Sequence, residues 1–167
     1  MGAWGTGPFD NDTAADFAHD VRACAALPHP LPARTALLLR TMRQVLDSDT
    51  EVRPDEPSAY ELDYRVERAL AAVAFVADAV TGICTHTDTP FARGVDDSPE
   101  AKLLSPLLPP TGLEPVTPEL HSTAMALLTW LGDRLVMDEA GRALATELTC
   151  LHSDLASYDP ALYAGSL

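Results

Sequence analysis

The stretch LDYRVERALAAVAFVADAV, residues 62–80, decides the fold class of this chain. It contains the longest uninterrupted apolar run in the sequence, Ala69 to Ala77. Apolar residues recur along it in alternating steps of four and three, the period of an α-helix, at Leu62, Val66, Ala69, Val73, Val76 and Val80. The opposite face is apolar as well, and a helix that is apolar on all sides is buried. The stretch therefore predicts a central helix in an α-helical protein.

Two helices are predicted before this stretch. The first begins after Asn11 and Asp12, both good N-cap residues, and ends at Pro28. The second shows an amphipathic pattern and is expected to end near Asp47. Between them we expect a stiff connector, because it contains three prolines: Pro28, Pro30 and Pro32.

Two more helices are predicted after it. The start of the fourth is Thr117-Pro118-Glu119, a cap followed by proline at the first helical position, and its end is expected near Asp138. The last helix carries an apolar stripe from Ala140 to Leu155. Residues 81–118 are rich in proline and predict a loop region with a short helix after Ser98. No alternating strand pattern appears. We therefore expect one all-α domain over residues 1–167, an irregular bundle of about five main helices plus a short one, with residues 1–12 as an N-terminal anchor segment.

The composition excludes one class of partner. The chain has 167 residues, of which 47% are hydrophobic and 22% charged, values typical of a folded protein. Its formal charge is −14, and Lys102 is the only lysine. Nucleic-acid binding depends on Lys and Arg displacing counterions from phosphates, so DNA and RNA are not expected partners. A basic protein is the partner that such a charge favours.

A cytoplasmic location is expected from the start and the apolar content of the sequence. No basic region followed by an apolar stretch occurs at the start, and no apolar run approaches the roughly 20 residues that span a bilayer. Membrane association is therefore not expected. Cys24, Cys84 and Cys150 are odd in number and far apart, which favours free thiols over a disulfide framework. The strong preference for Arg over Lys, with abundant Ala, Leu and Pro, suggests a bacterial source.

The acidic stretch, residues 47–63, is the first candidate functional feature. It contains seven acidic residues against the single Arg53. Like charges so close together repel one another and cost stability, and solubility could be obtained by a more even distribution. We hypothesise that part of this stretch forms a surface that binds a basic partner, called here the candidate partner surface: Asp47, Asp49, Glu51, Asp55 and Glu56. The alternative is a solvated loop without a partner.

Motifs of known chemistry fail on their spacing. Gly5-Thr6-Gly7 lacks the preceding strand and the third glycine of a dinucleotide-binding fingerprint. The stretch that begins at Asp47 resembles the start of a calcium loop, but Val52 and Ser58 replace the required glycine and glutamate. No nucleophile elbow of the G-x-S-x-G type occurs. No catalytic residue, metal or cofactor is therefore predicted.

The N-terminal pattern Trp4-Gly5-x-Gly7-x-Phe9-x-Asn11-Asp12-x-Ala14-x-Asp16-Phe17 resembles the signature of a family of small, uncharacterised bacterial proteins, a domain of unknown function. The resemblance implies a compact cytoplasmic bacterial protein and brings no established activity. By residue type, the two glycines and Pro8 allow a turn that folds the rings of Trp4 and Phe9 back over the first helix. The alternative interpretation is a pocket lined by Trp4, Asp12, Asp16 and His19.

Two classes of function follow from these observations. The first is a non-catalytic acidic interaction or inhibitor module, similar in kind to an immunity protein, that binds a basic partner. The second is a small-molecule-binding protein or enzyme with a site between helices, where Tyr60, Tyr64, Trp130 and the histidines would gather. The absence of a catalytic motif favours the first class.

Overall fold

The computed structural model describes residues 7–47, 64–82, 86, 116–135 and 139–159. Within these ranges the chain forms five α-helices and no β-strand, which confirms the all-α prediction. The helices are α1 (Asp12–Ala23), α2 (Pro30–Leu46), α3 (Tyr64–Thr81), α4 (Pro118–Gly132) and α5 (Glu139–Ala156), and a short 3₁₀ turn, Cys24–Ala26, follows α1. The predicted short helix after Ser98 and most of the proline-rich region lie outside the described residues.

Helix α3 lies at the centre of the bundle, as its apolar sequence predicts. It packs against each of the other four helices. Every residue from Ala69 to Asp78 is buried. Because five of these residues are alanines, the surrounding helices can approach the α3 backbone closely.

The caps that start α1 and α4 are those predicted from the sequence. The Asn11 side chain accepts a hydrogen bond from the Ala14 amide at 2.7 Å. The Thr117 hydroxyl accepts one from the Leu120 amide at 3.1 Å. Each side chain satisfies one of the amide groups that have no partner in the first helical turn.

The connector between α1 and α2 lies earlier in the chain than predicted, because α1 ends at Ala23 instead of at Pro28 and α2 begins at Pro30. Pro30 and Pro32 do not belong to it, because α2 begins at Pro30 and both prolines lie in its first turn. Proline is tolerated there because the first amides of a helix have no partner within the helix. The first hydrogen bond of α2 runs from the Ala33 amide to the His29 carbonyl, just after the second proline.

Helix α4 ends at Gly132, six residues before the predicted end near Asp138. The Arg134 amide donates to the Leu131 carbonyl, which tightens the chain into a turn after the helix. Glycine has a low helix propensity, so the helix is weakest where it ends. Leu135, which the periodic pattern included in the helix, is outside it but still packs partly against the core.

The hydrophobic core is one connected cluster to which all five helices contribute. Among the described residues, ion pairs at the surface connect neighbouring helices. Arg68 of α3 binds Asp20 of α1 at 2.9 Å, and Arg43 of α2 binds Glu119 of α4. None of the helices in the described ranges is both long and apolar enough to cross a membrane.

Candidate functional site

The structure describes one residue of the candidate partner surface. Asp47 is the C-cap of α2 and its side chain is exposed. The other four residues, Asp49, Glu51, Asp55 and Glu56, lie outside the described residues. The position of Asp47 at the carboxyl end of a helix is informative, because the helix dipole disfavours a negative charge there.

Several exposed acids lie at helix ends, where the helix dipole either stabilises or destabilises a negative charge. Asp12, Glu119 and Glu139 each lie in the first turn of a helix, where the dipole stabilises a negative charge. Asp47 and Asp133 lie at carboxyl ends, where it does not, and neither forms an ion pair with any residue in the described ranges. These two charges therefore contribute nothing evident to folding.

The alternative pocket is described in part. Asp12, Asp16 and His19 are all exposed on α1, on the side that faces away from the core. Trp4 lies outside the described residues, so a pocket that includes Trp4 stays a prediction. Across the described part of the chain, no group of three or more His, Cys, Asp or Glu side chains is arranged to hold a metal ion.

The aromatic residues considered for a site between helices are partly or fully at the surface. Tyr64, at the start of α3, is 60% exposed, and the guanidinium of Arg65 lies over its ring. Trp130 of α4 is half-buried, with the guanidinium of Arg134 4.3 Å from its ring centre. Tyr60 lies outside the described residues. The rings of Tyr64 and Trp130 are thus each covered by an arginine that is close to them in the sequence.

His86 lies in a cluster of ionisable side chains between α3 and α5 that is not among the sites predicted from the sequence. Its ring Nε2 is 2.7 Å from Oδ2 of Asp154, and its Nδ1 is 3.4 Å from Oε1 of Glu147. Its backbone amide donates to Oδ1 of Asp78 at 3.0 Å. Both the imidazole and the carboxylate of Asp78 are buried. We call these four residues the histidine cluster.

The histidine cluster keeps the imidazole protonated at neutral pH. Burial by itself lowers the pKa of His86, but the hydrogen bonds to Glu147 and Asp154 and the negative charge of Asp78 outweigh burial and raise the pKa to about 9. A protonated imidazole donates from both ring nitrogens, one to each carboxylate of α5. The result is a charge-assisted hydrogen bond from residue 86 to Asp154 and an ion pair with Glu147, both on one face of α5.

This arrangement suits a structural link better than a catalytic or metal-binding role. A general acid or base works best with a pKa near the operating pH, and both ring nitrogens of His86 already have partners. The two carboxylates of α5 lie at different nitrogens of the ring, so they do not converge on one point where a metal could bind.

A signal for the cluster was present in the sequence. Asp78 is the charged residue that directly follows the apolar run Ala69 to Ala77, and a charge that is buried beside such a run requires a partner. What the sequence could not show is which residue supplies the positive charge. His86 and Asp154 are 68 residues apart, and only the packing of α5 on α3 brings them together.

A second histidine connects α4 to the end of α5. The Nε2 of His121 is 3.0 Å from the carbonyl oxygen of Leu155, and its ring stacks on Tyr158 with ring centres 4.3 Å apart. The Tyr158 hydroxyl donates to the Val116 carbonyl at 2.9 Å. These contacts hold the residues after α5 against the start of α4.

Comparison with known proteins identifies a family without a described activity. A family model described as Domain of unknown function (DUF4259) matches residues 2–103, more than half of the chain. No curated protein and no solved structure matches the chain. The expected relation to a domain of unknown function is thereby confirmed.

Proposed function

We propose that this chain, which belongs to the family described as Domain of unknown function (DUF4259), is a non-catalytic acidic protein that binds a basic partner protein. The binding surface is the candidate partner surface: Asp47, Asp49, Glu51, Asp55 and Glu56. An acidic surface of this kind fits an inhibitor of the immunity type, which covers a basic enzyme with its acidic face.

The observation that carries the proposal is the position of Asp47. Its carboxylate is exposed at the carboxyl end of α2, where the helix dipole opposes it, and it forms no ion pair within the described part of the chain. A residue that costs local stability without a folding role is a candidate for a role in binding. Asp47 also begins the stretch in which the sequence places six further acids up to residue 63.

A dense acidic surface offers a specific advantage for association. Complementary charges accelerate the encounter of two proteins and orient them, and the acceleration falls as salt screens the field over about 10 Å at 0.1 M. The formal charge of −14 adds a long-range attraction for any basic protein. We infer, in addition, a bacterial source and a cytoplasmic location, where such a partner would be encountered.

Affinity capture with a neutralised variant tests the proposal. Wild type and a variant with Asn or Gln at the five positions of the candidate partner surface are used to capture proteins from cells of the source organism, at low and at high salt. We expect a partner that binds wild type at low salt, is lost at high salt and does not bind the variant. With that partner purified, the association rate should fall with ionic strength for wild type and much less for the variant.

A matched control separates the position of the charges from their number. It neutralises five exposed acids elsewhere in the structure: Asp12, Asp16, Asp133, Glu139 and Asp159. The control should still capture the partner. If both variants capture the same proteins as wild type, or wild type captures none, the candidate partner surface has no such role. Loss of a ligand from the control alone would instead favour the pocket on α1.

A further inference from the structure

The contact between α3 and α5 combines apolar packing with a cluster of ionisable side chains. Apolar packing at this contact comes from Leu148, Leu151 and Leu155 of α5, which are buried in the common core. Beside them lies the histidine cluster, in which three carboxylates surround one imidazole. Without a positive charge at residue 86, the carboxylates of Asp78, Glu147 and Asp154 would repel one another across the contact.

We propose that the protonated imidazole of His86 acts as a pH-sensitive link that holds α5 against α3, so that the contact between these helices loosens as the pH rises above neutral. The proposal is independent of the binding function of the acidic surface, because it concerns a different pair of helices. It predicts that the pH controls how firmly α5 packs, and that the buried leucines of α5, Leu148, Leu151 and Leu155, become accessible at alkaline pH.

The geometry gives His86 contacts to both helices at once. Its backbone amide binds Asp78 of α3, while its ring binds Glu147 and Asp154 of α5. Glu147 and Asp154 are seven residues apart, two helical turns, so both point from the same face of α5 toward the ring. A neutral imidazole has only one N–H and can donate to only one of them.

Helix α5 is the element that such a link can control. It packs mainly against α3 and α4, whereas α3 packs against all four other helices. The titratable group that α4 directs at α5 is His121, and its partner is the neutral carbonyl of Leu155 instead of a carboxylate. The charged groups that face His86 in the described part of the chain are therefore Asp78 from α3 and Glu147 and Asp154 from α5.

The direction of the pH effect follows from the environment of the ring. Hydrogen bonds to carboxylates favour the protonated form in the folded protein, and the pKa of His86 is raised to about 9 from 6.5. Folding of α5 onto α3 is therefore coupled to proton uptake. The link is complete below pH 6.5 and is lost as the pH rises through about 9. A pKa difference of this size corresponds to a change of up to about 300-fold in the opening equilibrium.

Two measurements on wild type test the proposal directly. Nuclear magnetic resonance of the His86 ring protons gives its titration midpoint, expected near 9. Hydrogen exchange of the α5 amides, corrected for the intrinsic pH dependence of exchange, gives the opening equilibrium between pH 6.5 and 9.5. We expect protection in α5 to fall over this range by about one to two orders of magnitude, and to lie below that of α1 and α2 at pH 9.5, because α5 opens without unfolding of the whole protein. A His86 midpoint near 6.5, or protection in α5 equal to that in α1 and α2 at pH 9.5, would overturn the proposal.

Three variants test whether the charge of His86, and not the volume of its side chain, holds α5 against α3. His86→Gln keeps a hydrogen-bonding side chain but cannot be protonated, so α5 should show weak protection that is independent of pH. His121→Gln is the matched control and should retain the wild-type pH dependence, since His121 has a neutral partner. If His86→Gln fails to fold, Asp154→Asn keeps the imidazole and an acceptor oxygen at position 154 but removes one negative charge, and the midpoint of α5 opening should move to lower pH. An unchanged midpoint in Asp154→Asn, or a wild-type pH dependence in His86→Gln, contradicts the link.

Discussion

Phe9 connects the N-terminal segment to the centre of the core. Its ring is only 1% exposed and meets the ring of Phe75 of α3 edge-on, with centres 5.5 Å apart and planes at 83°. The chain reaches this position through a turn in which the Gly7 amide donates to the Asp10 carboxylate at 2.8 Å. A Cβ at Gly7 would come within 2.9 Å of that carboxylate, so glycine fits here where a larger residue would displace Asp10. Phe9 is thus anchored on α3, whereas the predicted packing of Trp4 and Phe9 over the first helix stays a prediction, because Trp4 lies outside the described residues.

Replacing Phe9 tests this anchor. Phe9→Ala removes a fully buried ring and should lower the free energy of unfolding by about 3 to 4 kcal/mol, because it removes apolar contact and leaves a cavity. Urea unfolding followed by circular dichroism measures the loss. Phe9→Leu, which keeps most of the volume, should cost much less. A loss below about 1 kcal/mol for Phe9→Ala would show that the anchor contributes little to folding.

Asn11 offers a second test on a single residue. Its side chain accepts from the Ala14 amide at the start of α1, so Asn11→Ala should lower stability by about 1 kcal/mol. Asn11→Asp keeps the acceptor and adds a charge that the helix dipole favours, so it should retain most of the stability. Thermal unfolding compares the two. Equal losses in both variants would mean that the cap is not the origin of the effect.

At the scale of helices, the alanines of α3 determine how closely the bundle packs. Ala69, Ala71, Ala72, Ala74 and Ala77 are all fully buried. A helix with small side chains on several faces lets its neighbours approach from several directions, which is why α3 can contact four helices at once. The size of these side chains is therefore as important as their apolar character.

Enlarging one of these alanines should separate the helices. Ala72→Leu adds apolar volume to a filled core and should destabilise the protein by about 1 to 3 kcal/mol, although leucine is a good helix former. Ala36→Leu, at an exposed position of α2, is the matched control and should change stability by less than about 0.5 kcal/mol. Chemical denaturation of both variants gives the comparison. A neutral effect of Ala72→Leu would indicate space beside α3.

At the scale of the whole molecule, the histidine cluster predicts how stability depends on pH. The pKa of His86 is raised in the folded state, so the folded protein binds a proton that the unfolded chain releases above pH 6.5. The associated stability is fully present below pH 6.5 and decreases as the pH rises through about 9, by up to about 3 kcal/mol in total. Unfolding in urea at pH 6.5 and pH 9.5 measures the difference. His86→Gln should remove most of this difference in the free energy of unfolding. If the variant shows the same difference as wild type, other titratable groups cause the effect.

Much of the fold could be predicted from the sequence because its causes are local. The period of apolar residues in α3, the caps at Asn11 and Thr117, and the proline at the start of α4 all involve residues within four positions of one another. Predictions were wrong where two local preferences compete. Proline disfavours a helix interior but is accepted in the first turn, which is where Pro30 and Pro32 lie. The apolar pattern continues to Leu135, but α4 ends at Gly132.

The sequence by itself determined the helical class, the central position of α3 and the strongly acidic character, since these follow from residue type and period. Only the tertiary structure decided which charges meet. Arg43 and Glu119 are 76 residues apart, Arg68 and Asp20 are 48 apart, and His86 joins residues from two helices. The pKa of an imidazole and the partner of a buried carboxylate depend on distances of a few ångströms across helix contacts. Sequence spacing does not specify those distances, because they are set by how whole helices pack.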